Sequence, residues 1–299
     1  MALWRFDAIG TRWEIETSHE LAADTRAAVT AEIERFDREW SRFRVDSAVT
    51  RVARLGGSVR SADAAAMLDA YRELSAATGG AVNPLVGASL SALGYDASYS
   101  MTAGEPVPAP PAWTELLAWA DDEATASGPV LLDVGALGKG RLVDLVMAIL
   151  SEGVPGDLVV DAGGDIRVRG GAVRVGLEHP YDPARAIGVV SLQDAALCAS
   201  AVNRRSWGDG LHHVIDARTG LPVRTWAATW AIAGDAMRAD AVATALFFDG
   251  GPELAAMWGV EWVRMTTDGR VERSPGCPAE LFLAGRPDAG SHAAPVTEK

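Results

Sequence analysis

Four short stretches of this sequence combine residue types that bind anions or cations. They are Asp133–Gly140 (DVGALGKG), Asp161–Asp165 (DAGGD), His212–Gly220 (HHVIDARTG) and Asp240–Thr244 (DAVAT). The first is typical of a phosphate-binding turn, because glycines leave backbone N–H groups open at a helix N-terminus and Lys139 adds a positive charge. It is not a Walker A loop, since Asp133 and Gly140 occupy positions where that motif needs glycine and serine or threonine. An ordinary strand–helix turn with a surface lysine is the alternative.

The stretch beginning at Asp240 has the spacing of a cation site on a helix. Asp240 and Thr244 are four residues apart, so a helix presents their carboxylate and hydroxyl on one face. Both are hard oxygen donors of the kind that Mg²⁺ takes together with waters and phosphates. The alternative is a surface aspartate with a threonine bonded to its own helix backbone.

The adjacent His212 and His213 point to opposite faces if they lie on a strand, so both cannot readily bind one metal. One of them can serve as a base near neutral pH, and the alternative is one surface and one packed imidazole. Between Asp161 and Asp165, two glycines permit either a close ligand approach or a simple tight turn.

Composition restricts the classes of function. The 299 residues include 27 basic and 40 acidic ones, for a formal charge of −13. This balance argues against nucleic acid as a partner. Lys139 and Lys299 are the only lysines, so Lys139 is the sole internal one. We see no secretory signal and no apolar run of the roughly 18 residues that a membrane span needs. We therefore expect a cytoplasmic protein that does not span a membrane, with Cys198 and Cys277 reduced.

The order of predicted elements favours an α+β fold with mixed, largely antiparallel sheets flanked by helices. Helices are predicted over 19–43, 63–78, 113–125, 141–151, 235–248 and 252–258. Strands are predicted over 3–17 with a turn at Gly10, over 158–170 as two strands joined by a turn, and over 130–137, 172–178, 186–198, 211–216, 226–233, 260–265 and 271–272. We expect a single catalytic domain over 1–285, with sub-lobes 1–102 and 113–285 on either side of a Pro-rich loop (103–112). Residues 286–299 are predicted to be a disordered tail.

Taken in order, these stretches resemble the motifs of the ApbE family of FAD:protein FMN transferases. The resemblance rests on D-x-G-A-x-G-K-G, D-A-G-G-D, H-H-x-I-D-x-R-T-G-x-P and A-D-A-x-A-T-A-L, and it extends over about residues 3–250. Three earlier segments add to it: Ile9-Gly-Thr11, Trp40–Arg44 with Asp46-Ser47, and Gly79–Pro84. Several motifs in the family's order are far more specific than any one alone.

The resemblance implies an ApbE-like architecture related to the T-fold and an Mg²⁺-dependent flavinyltransferase. Such an enzyme splits FAD, attaches FMN to a threonine or serine of a target flavoprotein and releases AMP. By resemblance, Asp240 and Thr244 bind Mg²⁺ by side chain and Ala136 by its carbonyl, while His213 is the catalytic base and Ser200 a less favoured one. The implied FAD-binding residues are Ile9, Phe43, Ala81, Val82, Asn83, Asp133, Lys139 and Ile215.

Five positions depart from the family pattern. Ile9 stands where the family has methionine, and Arg141 stands where it has tyrosine. Three pairs also differ: Val82-Asn83 replaces an aromatic–Asp pair, Ser200-Ala201 replaces a Ser-Gly pair, and Asp216-Ala217 replaces an Asp-Pro pair. Three alternatives to a transferase therefore stay open. They are an FAD pyrophosphatase yielding FMN and AMP, an FAD-binding module with impaired catalysis, and an unrelated α+β protein with coincidental motifs.

Overall fold

Eight helices and eighteen strands make up residues 1–282, the part of the chain that this computed structural model describes. The helices are α1 (Ala23–Trp40), α2 (Ala48–Leu55), α3 (Ala64–Ala77), α4 (Gly87–Ala92), α5 (Trp113–Leu116), α6 (Gly138–Gly153), α7 (Ala236–Ala245) and α8 (Gly251–Trp258). The strands are β1 (Ala2–Ala8), β2 (Thr11–Thr17), β3 (Gly57–Arg60), β4 (Leu117–Ala120), β5 (Glu123–Ala126), β6 (Leu158–Ala162), β7 (Asp165–Arg169), β8 (Val173–His179), β9 (Asp182–Leu192), β10 (Ala196–Ala201), β11 (Ser206–Trp207), β12 (Leu211–His212), β13 (Ile215–Asp216), β14 (Leu221–Pro222), β15 (Trp226–Ala233), β16 (Glu261–Thr266), β17 (Val271–Arg273) and β18 (Glu280–Leu281).

The main sheet has eight antiparallel strands in the order β1-β2-β6-β7-β10-β15-β16-β17. Strand β2 pairs with β6, so residues 13–17 lie beside residues 158–162. Two three-stranded sheets (β18-β9-β8 and β3-β5-β4) and two short ladders complete the architecture. The predicted α+β, largely antiparallel fold class is confirmed.

Both faces of the main sheet are covered by apolar side chains. On β6, Leu158 and Val160 belong to the large core shared with the helices, while Val159 belongs to a second core on the other face. This is the two-residue alternation of a strand. On the helix side, the indole of Trp13 and the side chain of Ile15 are fully buried. The sheet therefore provides a rigid base beneath the helices.

Helices α6 and α7 approach closely at Gly140. A Cβ atom placed there would lie 2.2 Å from the carbonyl oxygen of Ala236 and 2.7 Å from the Cβ of Asp240, so only glycine fits. Asp144 of α6 also accepts hydrogen bonds from the N–H groups of Ala236 (2.9 Å) and Met237 (3.0 Å) at the start of α7. The two helices thus hold the segment around Lys139 against the segment around Asp240.

Four local predictions are wrong. The stretch 186–198, predicted as one strand, divides between β9 and β10, which belong to two different sheets. The stretch 113–125, predicted as a helix, forms the short α5 and then the hairpin β4–β5, because β5 pairs with the distant β3. Residues 130–137 form no strand; instead the N–H of Asp133 donates to the carbonyl of Pro84. Residues 211–216, predicted as one strand, divide into β12 and β13, which belong to two different ladders.

Most other predicted elements are confirmed, with ends shifted by a few residues. The helix α2, the strand β3 and the helix α4 were not anticipated. Strands of the main sheet come from both predicted sub-lobes. The predicted tail, 286–299, lies outside the described residues. Within residues 1–282, no helix combines the length and apolar character needed to cross a membrane.

Candidate active site

Lys139 lies in the first turn of α6 and forms an ion pair with Asp165, the first residue of β7. The Asp165 side chain is fully buried, and its Oδ1 has no hydrogen-bond partner among the described residues. Burial alone would lower the pKa of Lys139, but the nearby carboxyl groups of Asp165 and Asp240 outweigh it and raise that pKa. The ammonium group is therefore charged and held by Asp165.

Asp240 is a buried carboxyl group on α7, directed at the start of α6. Its Oδ2 accepts a hydrogen bond from the N–H of Gly140 at 2.9 Å. Burial, followed by the negative charge of Asp165, raises the pKa of Asp240 to about 7, while the positive charge of Lys139 opposes the rise. Near neutral pH this group is therefore divided between its acid and its carboxylate.

The raised pKa of Asp240 predicts how stability depends on pH. The carboxyl binds protons more tightly in the folded chain than at its ordinary pKa of 3.8. Its contribution to the free energy of unfolding is therefore complete below about pH 4 and is lost as the pH rises through about 7. We expect urea unfolding without divalent cations to show a steeper loss over this range for the unaltered chain than for Asp240→Asn. Parallel pH profiles for the two proteins would contradict the assignment.

Two further oxygens lie together beside Asp240. The hydroxyl of Thr244, one turn later on α7, donates to the carbonyl of Ala136 at 3.3 Å. The N–H of Ala136 donates to the Tyr71 hydroxyl at 3.3 Å, and that hydroxyl donates to the carbonyl of Asp133 at 3.0 Å. Tyr71 therefore fixes the orientation of the Ala136 peptide.

The donor set at this point suits a hard cation. Within residues 1–282, no three His, Cys, Asp or Glu side chains are grouped as metal ligands, so the soft or nitrogen-rich sites of zinc do not occur there. A carboxylate, a hydroxyl and a carbonyl, from Asp240, Thr244 and Ala136, are instead the oxygen ligands that Mg²⁺ prefers. The residues present therefore fit the metal that the sequence predicts.

The two adjacent histidines have different environments. His212 Nε2 forms a hydrogen bond of 2.9 Å with the carbonyl oxygen of Val223. His213 has a buried Nδ1 without a partner in the described part of the chain. Burial, and then the positive charge of Arg205, lowers the pKa of His213 to about 3, with Lys139 among the smaller contributors. His213 is thus a neutral imidazole within the electrostatic reach of Lys139.

Phe43, Tyr95, Tyr99 and Trp207 form an aromatic cluster next to this region. Phe43 stacks on Tyr99 with ring centroids 5.1 Å apart, and Tyr95 stacks on Trp207 at 5.6 Å. Ile215 belongs to the same apolar group as Phe43. Two of the predicted FAD-binding residues, Phe43 and Ile215, therefore belong to one apolar group.

Arg42 connects the aromatic cluster to Asp133. Its side chain is buried, its Nε donates to Asp133 Oδ2 at 2.5 Å, and its Nη1 donates to the carbonyl of Tyr95 at 2.7 Å. Its guanidinium carbon also lies 4.2 Å from the centroid of the Phe43 ring. Asp133 is therefore held in place from the aromatic side.

The Ala81–Asn83 segment is largely occupied by internal contacts. Asn83 is buried, donates to the carbonyl of Pro110 and accepts from the N–H of Leu85, both at 2.8 Å. The carbonyl of Ala81 accepts from the N–H of Ala217 at 3.0 Å, which ties this segment to β13. Val82 is buried as well. The Asn83 amide thus supports the backbone of its own segment.

Ile9 lies in the turn between β1 and β2 with a φ of +47°. The same turn contacts the D-A-G-G-D segment, because a Cβ atom at Gly163 would lie 2.0 Å from the Thr11 hydroxyl. The structure therefore brings the turn of Ile9 to the neighbourhood of Asp165 without showing a direct contact of the two side chains.

Sequence reasoning missed Tyr71, Arg42 and the pairing of Lys139 with Asp165. Tyr71 belongs to none of the sequence motifs; the only signal for it is that a buried phenol hydroxyl needs a hydrogen-bond partner. The departure at Arg141 is explained by its ion pair with the buried Asp63 at 2.8 Å. Ser200 lies on β10 opposite Thr229 of β15.

Comparisons with known proteins show the family of this chain. A sequence model of the ApbE family matches residues 9–263. A protein of Rhodobacter capsulatus named FAD:protein FMN transferase is 28% identical over 317 aligned positions, which cover 98% of this chain and 60% of that protein. A protein of the same name from Treponema pallidum is 30% identical over 239 positions, which cover 67% of this chain and 64% of that protein. The chain thus spans less than two thirds of the length of both relatives.

A solved structure shares the fold. The crystal structure of an ApbE protein from Thermotoga maritima superposes with a TM-score of 0.76 at 23% identity, covering 92% of this chain and 97% of the other. At this level of identity the likeness concerns the fold alone.

Proposed function

This chain belongs to the ApbE family, and from that premise we propose that it transfers FMN from FAD to a protein hydroxyl and releases AMP. Two relatives carry the name of that reaction. The observation that supports it most is the close approach of α6 and α7, which holds Asp240 against the Gly140 N–H beside Lys139. The positive charge of Lys139 also contributes to the lowered pKa of His213, which comes from a third part of the chain. Phosphoryl transfer depends mainly on such positioning and neutralisation of charge.

The acceptor in this proposal is a threonine or serine of a target flavoprotein, and His213 is the base. The hydroxyl oxygen bonds to the phosphorus of the FMN half, the bond from that phosphorus to the bridging oxygen breaks, and AMP leaves with that oxygen. The hydroxyl proton passes to His213, which is unprotonated at neutral pH because its pKa is lowered to about 3. A bound diphosphate brings negative charge that raises this pKa and makes the imidazole a stronger base.

Asp240, Thr244 and Ala136 are our proposed ligands for Mg²⁺, which would neutralise negative charge on the phosphates when bound. The support is their chemistry as hard oxygens and the 3.3 Å contact between the Thr244 hydroxyl and the Ala136 carbonyl. Tyr71 orients that carbonyl through the Ala136 N–H. Lys139 neutralises the two carboxyl groups that would otherwise repel the phosphates.

We assign the flavin ring to the aromatic cluster, where Phe43 and Ile215 lie together. Ala81, Val82 and Asn83 shape the adjoining backbone, and Ile9 approaches from the β1–β2 turn. Asp133, fixed by Arg42, offers a polar edge to the nucleotide. The cytoplasm remains our proposed compartment, in keeping with the two free thiols, Cys198 and Cys277.

Mass spectrometry of a reconstituted reaction tests the proposal. The full chain is incubated with FAD, Mg²⁺ and the FMN-binding domain of a candidate target flavoprotein. We expect the mass of that domain to increase by one FMN on a threonine or serine, with one AMP released per FMN attached. A reaction with chelator in place of Mg²⁺ serves as the control and should leave the domain unmodified.

The other outcomes contradict transfer in different ways. Free FMN and AMP without a modified domain would indicate an FAD pyrophosphatase. Binding of FAD that stays intact in the presence of Mg²⁺ would indicate a binding module. Failure of the chain to bind FAD at all would contradict every FAD-dependent function that the resemblance implies.

A further inference from the structure

Arg205 and Arg26 are the two half-buried arginines in residues 1–282 whose guanidinium groups form no hydrogen bond or ion pair, and Arg26 lies over the Trp4 ring. Arg35, Arg42 and Arg141 each form an ion pair with a buried or nearly buried carboxylate. Arg205 is half-buried, yet its guanidinium group forms no hydrogen bond or ion pair with any residue in 1–282. The chain has 40 acidic and 27 basic residues, so most cations could find an acidic partner. A partly buried cation without such a partner is available to bind an anionic ligand.

The backbone places Arg205 directly beside His213. Strands β11 and β12 pair Ser206 with His212, and one step further the N–H of His213 donates to the carbonyl of Arg205 at 3.2 Å. On the other side, the guanidinium carbon of Arg205 lies 6.0 Å from the centroid of the Tyr95 ring. Arg205 therefore stands between the aromatic cluster and the histidine proposed as base.

The charge of Arg205 also acts on His213. After burial, it is the largest cause of the lowered pKa of His213. Lys139, by contrast, is already paired with Asp165. Lys139 and Arg42 are thus paired with carboxylates, and the contacts within residues 1–282 leave Arg205 available to a ligand.

We propose that Arg205 binds the diphosphate of the dinucleotide and neutralises the charge of the AMP phosphate as it leaves. The inference rests on the proposed function and assigns one residue within it. When the bond between the FMN phosphorus and the bridging oxygen breaks, its electron pair stays on that oxygen and adds negative charge to AMP. A guanidinium group matches such a phosphate with two parallel N–H donors and keeps its own proton.

Binding of AMP and of adenosine to the full chain, measured by calorimetry, tests this assignment without an acceptor protein. We expect Arg205→Ala to weaken AMP binding at least tenfold and to leave adenosine binding unchanged, because only AMP carries a phosphate. The matched control is Arg204→Ala. Arg204 is the neighbouring residue, with an exposed ion pair to Glu178 at 2.9 Å, and its loss should leave both affinities unchanged.

Turnover gives a second readout. We expect Arg205→Ala to reduce kcat by roughly 10³-fold, the scale of an arginine that stabilises phosphoryl transfer, while the KM for FAD changes much less. Removal of this positive charge should also raise the pKa of His213. The acidic limb of the pH–rate profile should therefore shift to higher pH. Arg205→Gln keeps length and polarity without charge and should behave as Arg205→Ala does, while Arg205→Lys should recover part of the rate.

The outcomes separate this inference from the proposed function. Normal FAD binding together with equal AMP affinity in Arg205→Ala and Arg204→Ala would overturn the assignment of Arg205 alone. Failure of the unaltered chain to bind FAD or AMP would overturn the proposed function and the inference with it. An equal loss of AMP and adenosine affinity in Arg205→Ala and Arg205→Gln would show a structural role and likewise reject the assignment.

Discussion

Replacement of Asp240 by alanine will abolish Mg²⁺-dependent FMN transfer and leave FAD binding close to normal. Asp240 is the only carboxylate in the proposed ligand set, and its position is fixed by the Gly140 N–H and by the close approach of α6 and α7. Loss of even an outer-shell partner of a metal costs roughly 10–100-fold in metal affinity or activity, so loss of the carboxylate ligand should cost more. Calorimetric titration with Mg²⁺, beside FAD fluorescence quenching, measures the two effects separately.

Two companion variants make this test specific. Asp240→Asn keeps an oxygen that can accept from the Gly140 N–H, so it should fold better than Asp240→Ala and still bind Mg²⁺ weakly. Asp235→Ala removes another carboxylate of the same helix, the N-cap whose Oδ1 accepts from the Arg238 N–H at 2.8 Å. It should lower helix stability by about 1 kcal/mol and keep metal-dependent transfer. Full transfer by Asp240→Ala would show that the metal assignment is wrong.

Replacement of Lys139 by methionine has the second largest expected effect, because it removes the partner of a fully buried carboxylate. Breaking a buried ion pair from one side costs about 3–5 kcal/mol, and Asp165 already has one oxygen without a partner in residues 1–282. We expect a clear fall in the free energy of unfolding and a loss of FMN transfer. The pKa of Asp240 should rise further, since Lys139 opposes its rise, so Mg²⁺ binding should need a higher pH.

A double variant separates the structural part of this effect from the chemical part. Lys139→Met combined with Asp165→Asn leaves no unpaired buried charge, so denaturant unfolding should show recovery of much of the lost stability. Transfer should stay low, because no neighbouring lysine then offsets the negative charge of Asp240 that would repel the phosphates. Wild-type transfer by the double variant would mean that Lys139 only neutralises Asp165.

The parts of the fold that sequence reasoning predicted are those with a strong local signal. The periodicity of apolar residues located α1 and α3, and the Gly-Gly turn located β6 and β7. The stretch 113–125 failed because its apolar spacing fits a helix, whereas pairing with β3 draws it into a hairpin. Pairing with a distant strand overrides the local secondary-structure propensity of a segment. It cannot be predicted from the residues of that segment alone.

The candidate site was predictable as a set of motifs but not as a set of contacts. The order of the motifs indicated Lys139, Asp240, Thr244 and His213. It did not indicate that Asp165 takes the lysine, or that Tyr71 reaches Ala136 across 65 positions of the chain. Such pairs arise only when distant elements pack together. A single sequence, read without aligning it to its relatives, carries no information about them.

The pairing of β2 with β6 has a consequence for synthesis of the protein. Residues 11–17 leave the ribosome early, but their partner strand is complete only after residue 162, and Thr244 emerges later still. Until then the first hairpin exposes a strand edge that needs protection from aggregation. Chains that stop before α7 lack Asp240 and Thr244, so we expect nascent and truncated products to bind no metal ion at this site.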